Sequence, residues 1–489
     1  MSCGRSWTTF LLWQGVSLKH VARLIPEKRR YAAGMCAGFH CFMDIIDPDF
    51  SLQQRCYLFN RPLKEAEWNT LRGYTCRVRT IRGFETTFGC ILEDTMREVF
   101  ALAPFADPLF PHLRSLCWRD VAAFAPLHVA VPSLTVLELD LTYFPHLPVP
   151  TEFIDAFGDN CPRIERLNVR IDFTGLVDSA ISRQIRRWTK LQKVSCRNIA
   201  LSVDAILHLS SMVNLKQLSF TAGIDIVQGI IHLGSMLVFP SLEDLVIESQ
   251  SLDAVTSLLH RIRLPMIESL GVTISNYLSR RAIQAYWVAA REACPSAVSI
   301  HLCMFTFNGG HEGLLLPGED VHPELTLEDL RPWTAFSGLR NIYVNLDWHV
   351  DLTDTDLLEL VSPRMEEVII NYALGWGTRI NGGGITLSGL VQLLRQCPSL
   401  RELCLAIDTR TFTEIPEGLD VSFPPRTRLQ LNFVDSHIEP EFVSGIVSVF
   451  MALGLDSSMI RAWEIYGGDS VGTPQAAFIW DQVLDELKV

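Results

Sequence analysis

Along most of this chain the hydrophobic residues fall in one repeated phrase: a proline or polar lead-in, then Leu-x-x-Leu-x-Val/Leu. It reads FPHLRSLCW (110–118), VPSLTVLEL (131–139), CPRIERLNV (161–169), FPSLEDLVI (239–247), LPMIESLGV (264–272) and CPSLRELCL (397–405). Apolar and polar positions alternate within each phrase, which is the period of a strand with one buried face. Leu137 and Leu139, or Leu403 and Leu405, then enter a core, and the residues between them face the other way. With the second Leu as a marker, the copies fall at Leu116, Leu137, Leu167, Val194, Leu218, Leu245, Leu270, Ile300, Ile342, Val368, Leu403 and Leu429. A weaker early copy falls at Val78 and Ile81, and the last copy has Arg426 where Leu is expected.

Between the phrases the pattern changes to that of amphipathic helices. Ser202 opens VDAILHLSSM, Ser251 opens LDAVTSLLHRI, Thr353 opens DTDLLELV and Thr386 opens LSGLVQLLRQ, each placing a hydroxyl at an N-cap. A strand and a helix recurring every ~28 residues on average predict an α/β leucine-rich-repeat solenoid. The expected form is a ribonuclease-inhibitor-like horseshoe, with a parallel sheet on the concave side and helices on the convex side. Each buried aliphatic side chain contributes about 1.5–3 kcal/mol. One repeat alone does not offset its chain entropy, whereas a stack does. The expected organisation is a helical N-terminal segment over 1–55, the solenoid over 56–435 and a C-terminal helical cap over 436–489. In that cap EPEFVSGIVSVFMALG and TPQAAFIWDQVLDEL read as helices.

Two repeat intervals are long. One contains FNGGHEGLLLPGEDVHPE (307–324), the other GWGTRINGGG (375–384), and both are read as surface insertions or contact loops. The 13 cysteines include no C-x-x-C pair, and the chain opens with no secretory signal, so reduced intracellular thiols are expected, in cytoplasm or nucleus. Cys117, Cys161, Cys196, Cys294, Cys303, Cys397 and Cys404 recur within the repeats and are expected to pack as small hydrophobes. No run of apolar residues is long enough for a membrane helix. A net charge of −13 argues against general affinity for nucleic acid or anionic membranes.

Catalytic signatures are absent: no H-E-x-x-H, G-x-S-x-G, P-loop or strand-linked G-x-G-x-x-G. Gly382, Gly383 and Gly384 lack the Lys-Ser/Thr of a phosphate loop, and His311, Glu312 and His322 lack metal-ligand spacing. No cofactor, metal or catalytic residue is expected. An enzyme built on the 307–324 loop is the remotest reading. The positions of interest are those facing away from the core: Arg119; Glu138 and Asp140; Arg166, Asn168 and Arg170; Lys193 and Arg197; Asp244 and Glu248. His301, Tyr343, Asn345, Asn371, Arg428, Gln430 and Asn432 continue the set, while Trp118 falls on the core side. Arg166, Arg170, Lys193 and Arg197 come from adjacent strands and predict a basic patch for an acidic partner segment. Ordinary solvated strand residues are the plainer reading of the same four. Arg166, Arg170, Lys193, Arg197, His301, Tyr343, Asn345 and Asn371 form the expected protein-binding set.

The N-terminal phrase C-G-R-S-W (Cys3, Arg5, Trp7), then Trp13 within LLWQGVSLKHVARLIPE (11–27), resembles the closing helix of an F-box. LFNRPLKEAEW (58–68), Tyr74 and RVRTI (77–81) resemble the lead-in to the repeats of the large fungal, basidiomycete-type F-box/leucine-rich-repeat family. The resemblance implies a non-catalytic substrate receptor of an SCF-type ubiquitin ligase, binding a Skp-type adaptor through the F-box and a protein through the concave repeat face. Met1 stands after the point where the opening F-box helix would end. The second reading is therefore an adaptor-independent interaction scaffold.

Overall fold

The computed structural model describes residues 65–82, 107–118, 129–142, 151–171, 176–276, 278–304, 324–346, 348–372, 376, 384–409, 429–436, 438–462 and 475–488. They fall in two compact units, one ending at Thr221 and one beginning at Ala222. The 1–55 segment with Cys3, Arg5, Trp7 and Trp13 lies outside the described residues, as do Arg119, His311, Glu312, His322, Gly382, Gly383, Arg426 and Arg428.

The first unit carries six strands: β1 (Thr80–Arg82), β2 (Ser115–Trp118), β3 (Val136–Asp140), β4 (Arg166–Arg170), β5 (Lys193–Ala200) and β6 (Gln217–Thr221). They pair in chain order, and every pair is parallel. Parallel neighbours need a crossover. Helices supply it: α2 (Thr151–Asn160) lies between β3 and β4, α3 (Leu176–Ile185) between β4 and β5, and α4 (Val203–Ser210) between β5 and β6; α1 (Glu65–Thr75) precedes the sheet. Along the ladder Leu116, Leu137, Leu167, Val194 and Leu218 stand in one row, each 0–2% exposed. The repeated leucine of the sequence is thus a single apolar spine. Trp118 is also buried, on the core side as its parity requires.

The second unit repeats the plan with eight parallel strands: β7 (Asp244–Ser249), β8 (Ser269–Ile274), β9 (Ser299–Met304), β10 (Asn341–Asn345), β11 (Glu367–Ile370), β12 (Glu402–Cys404), β13 (Gln430–Asn432) and β14 (Ile460–Arg461). The spine runs Leu245, Leu270, Ile300, Ile342, Val368, Leu403 and Leu431. Here the marker shifts, because Leu431 and not Leu429 pairs with Leu403. Both leucines are buried, so a period of two admits either register.

Helices α5 (Ile224–His232), α6 (Leu252–Leu259), α7 (Arg280–Ala293), α8 (Leu327–Leu330), α9 (Asp354–Leu360), α10 (Leu387–Gln396), α11 (Val443–Ala452) and α12 (Gln475–Glu486) complete the unit. Those from α5 to α10 pack side by side in chain order. Their starts are local: the Ser251 hydroxyl accepts from Ala254 N, Thr353 from Asp356 N and Thr386 from Gly389 N. In the first unit Ser202 does the same for Ala205 N. Each such cap is worth about 1 kcal/mol.

The leucine phrase does not announce two short parallel pairs, Leu237–Val238 with Ile262–Arg263 and Glu324–Thr326 with His349–Asp351. Beside the second pair Asp329, 0% exposed, accepts from Thr326 N and Oγ1 and lies 3.1 Å from Arg280 Nε. At the C-terminal end Phe433 stacks on Phe450 at 5.5 Å and on Trp480 at 5.3 Å, and Trp480 Nε1 donates to the Ser436 carbonyl. This aromatic cluster closes the apolar layer beneath β13. Among the described residues no helix is long and apolar enough to cross a membrane.

Candidate functional site

In each unit the strand positions between the buried ones form the outward face of the sheet. In β4 the alternation is complete: Arg166, Asn168 and Arg170 are exposed, Leu167 and Val169 buried. Parallel pairing sets Arg166 beside Lys193 and Arg170 beside Arg197. At a ladder spacing of about 4.8 Å the four cations form a two-by-two array. Among the described residues Arg166, Arg170 and Lys193 enter no ion pair, whereas Arg183, Arg186 and Arg187 of the helical side bind Asp155, Asp204 and Asp159. The acid next to Arg170 in the ladder is Asp140, and its Oδ1 accepts from Thr142 Oγ1 at 2.8 Å. Arg197 stands where the β5–β6 register shifts, just before Asn198 at φ 60°.

In the second unit His301 and Tyr343 are ladder neighbours, half-buried, with rings stacked 5.6 Å apart at 14°. Ser299 Oγ lies 2.9 Å from His301 Nε2. Burial lowers the basicity of His301, and the Asp244 carboxylate opposes this. Burial pushes the Tyr343 hydroxyl up to about 12, with the charges of Cys303, Cys404, Tyr372 and Glu402 adding to the shift.

Three asparagines assigned to the exposed face are buried instead. Asn345 is 7% exposed and Asn371 0%, and Asn432 is buried with its Oδ1 accepting from Val434 N. Asn371 Oδ1 accepts from Leu346 N at 2.8 Å and its Nδ2 donates to the Trp348 carbonyl at 2.7 Å. Asn345 and Asn432 end their strands, and Asn371 follows one at φ 52°. Side-chain alternation holds only while the backbone stays extended, so parity fails at strand ends. Asn345 and Asn371 therefore leave the partner-binding set. Of the 375–384 insertion, Trp376 is buried too, with Nε1 donating to the Ile370 carbonyl and N to Asp435 Oδ1, each at 2.8 Å. Its buried side chain offers nothing to a partner.

Sequence reasoning passed over Glu367 and Glu402, which stand side by side in the ladder on the exposed face. The signal was present, since MEEVII and RELCL each put Glu immediately before the marker residue.

The chemistry of these faces is charge and aromatic surface. Burial pushes the thiols of Cys161, Cys294 and Cys303 up to about 12 and raises that of Cys196 further, which keeps them protonated and unreactive at neutral pH. No group of three metal-ligating side chains occurs among the described residues.

His301 gives a pH test. Its folded-state value lies below the ordinary 6.5, so as pH falls through that value the unfolded chain takes up the proton first. Stability is full above about 6.5 and declines below it, until the folded form is protonated as well. Urea midpoints between about pH 7.5 and 5.5 are expected to drop more for the wild type than for His301→Gln; equal slopes would remove His301 as the cause.

No family model matches the chain, and no curated protein matches it.

Proposed function

We propose that this chain is a leucine-rich-repeat solenoid of horseshoe form that serves as a non-catalytic protein-binding receptor. Its partner is captured on the concave sheet face through Arg166, Arg170, Lys193 and Arg197. The carrying observation is the two-by-two cation array on β4 and β5, supported by backbone ladders, three of whose members enter no ion pair among the described residues although Asp140 flanks Arg170. Arginine forks on rigid strands hold carboxylates in paired hydrogen bonds, and rigid presentation limits the ordering cost of binding. An acidic peptide segment is the matching ligand.

The F-box resemblance of Cys3, Arg5, Trp7 and Trp13 extends this reading to a substrate receptor of an SCF-type ubiquitin ligase. Co-purification of the chain with a Skp-type adaptor tests that extension, and absence of the adaptor reduces the function to an interaction scaffold. Receptor function itself is tested with an acidic peptide. The triple variant Arg166→Glu, Arg170→Glu, Arg197→Glu is expected to lose at least about 3 kcal/mol of binding, near the limit of detection, while its melting temperature stays close to wild type. Unchanged capture would remove the array from the mechanism.

A further inference from the structure

The sheet face of the second unit has the opposite electrostatic character. Glu367 and Glu402 are direct ladder partners, and like charges opposed in a sheet are unfavourable unless a cation joins them. None does so among the described residues. The arginines that immediately precede β10 and β12, Arg340 and Arg401, both bind Glu366, at 3.0 and 3.2 Å. Glu366 is thus neutralised from two sides, while the pair one residue on carries two uncompensated charges. Tyr343 lies on β10, next to β11, where it is the diagonal neighbour of Glu367. Its ring and that of His301 stack in the ladder row two residues along from the two glutamates, within reach of a side chain laid across both rows.

We propose that this face docks a cationic peptide segment, with an arginine or lysine side chain lying over the His301–Tyr343 stack and its charge held by Glu367 and Glu402. A guanidinium fits both parts, since its plane stacks on an aromatic face while its edge donates two parallel hydrogen bonds to a carboxylate. A lysine uses the same site with its stem on the rings and its ammonium between the carboxylates. Nucleic acid and anionic membrane are repelled by the same charges. A divalent cation is not matched, because no third ligating group stands with the two glutamates among the described residues. The site shares no residue with the β4–β5 array and takes a ligand of the other sign, so it stands or falls by itself.

The test is fluorescence anisotropy of a labelled arginine decapeptide against the full chain. Wild type is expected to bind, at least about tenfold more weakly as ionic strength rises from about 0.05 to about 0.5 M. The pair Glu367→Gln, Glu402→Gln is expected to weaken binding about tenfold or more, and Tyr343→Ala about fivefold. Both glutamine substitutions remove a like-charge contact, so the double variant should melt no lower than wild type. Arg166→Glu with Arg170→Glu should not weaken binding. Neutralising Asp481 and Asp485 of α12 controls for diffuse attraction and should leave binding within about twofold. No binding by wild type, equal binding by the Glu367/Glu402 variant, or an equal loss in the α12 control would overturn the proposal. None of these outcomes touches acidic-peptide capture at the array.

Discussion

Leu245→Asp is expected to unfold the unit that begins at Ala222. Leu245 is 1% exposed and joins Leu270 in the spine of β7 and β8. The substitution removes a buried aliphatic group, at about 2–5 kcal/mol, and puts in its place a carboxylate with no cation beside it. The sum reaches the whole stability of a typical domain, about 5–15 kcal/mol. Val246→Asp, one residue on and partly exposed, should cost less than about 1 kcal/mol if its carboxylate reaches water. Urea unfolding followed by circular dichroism distinguishes the two. Equal losses would mean that the faces of β7 are wrongly assigned.

The second large effect is expected at Asn371. Its side chain is the partner of two buried backbone groups, Leu346 N and the Trp348 carbonyl, across the turns that follow β10 and β11. Asn371→Ala leaves both unsatisfied, at about 1–3 kcal/mol each. Alanine also adopts the left-handed backbone at φ 52° less readily, adding about 1 kcal/mol. A total loss of about 3 kcal/mol or more is expected in thermal or urea unfolding. Asn371→Gly should recover only the backbone share, and Asn371→Asp keeps an acceptor for Leu346 N while losing the donor to Trp348. A loss below about 1 kcal/mol for Asn371→Ala would show that water replaces the amide.

The spine and the caps were legible in the sequence because both are local signals. A leucine every second residue specifies which face is buried, and Ser202, Ser251, Thr353 and Thr386 each cap a helix within three residues of themselves. The array of Arg166, Arg170, Lys193 and Arg197 was legible for the same reason, since aligned phrases give the ladder partners directly. Leu429 was mistaken for Leu431 because buried positions two apart are indistinguishable by period. Asn345 and Asn371 were misplaced because alternation says nothing about a residue at or beyond the end of a strand. The Arg280–Asp329 contact spans an insertion of irregular length, and no periodic pattern fixes what the chain meets after it. Arg340 and Arg401 converging on Glu366 follows from strand order, but which of two adjacent glutamates they choose depends on side-chain direction at the strand entry.

Pairing in strict chain order has a kinetic consequence. Within each unit a strand meets only segments a few dozen residues away, so forming each new ladder closes a short loop and costs little extra chain entropy. Low separation between contacting segments favours fast assembly, and a stack of this kind nucleates wherever two adjacent segments first dock and then grows outward. Fraying then starts at the terminal strands. The last described strand, β14 (Ile460–Arg461), is only two residues long, so the edge that it offers for pairing with another molecule is short.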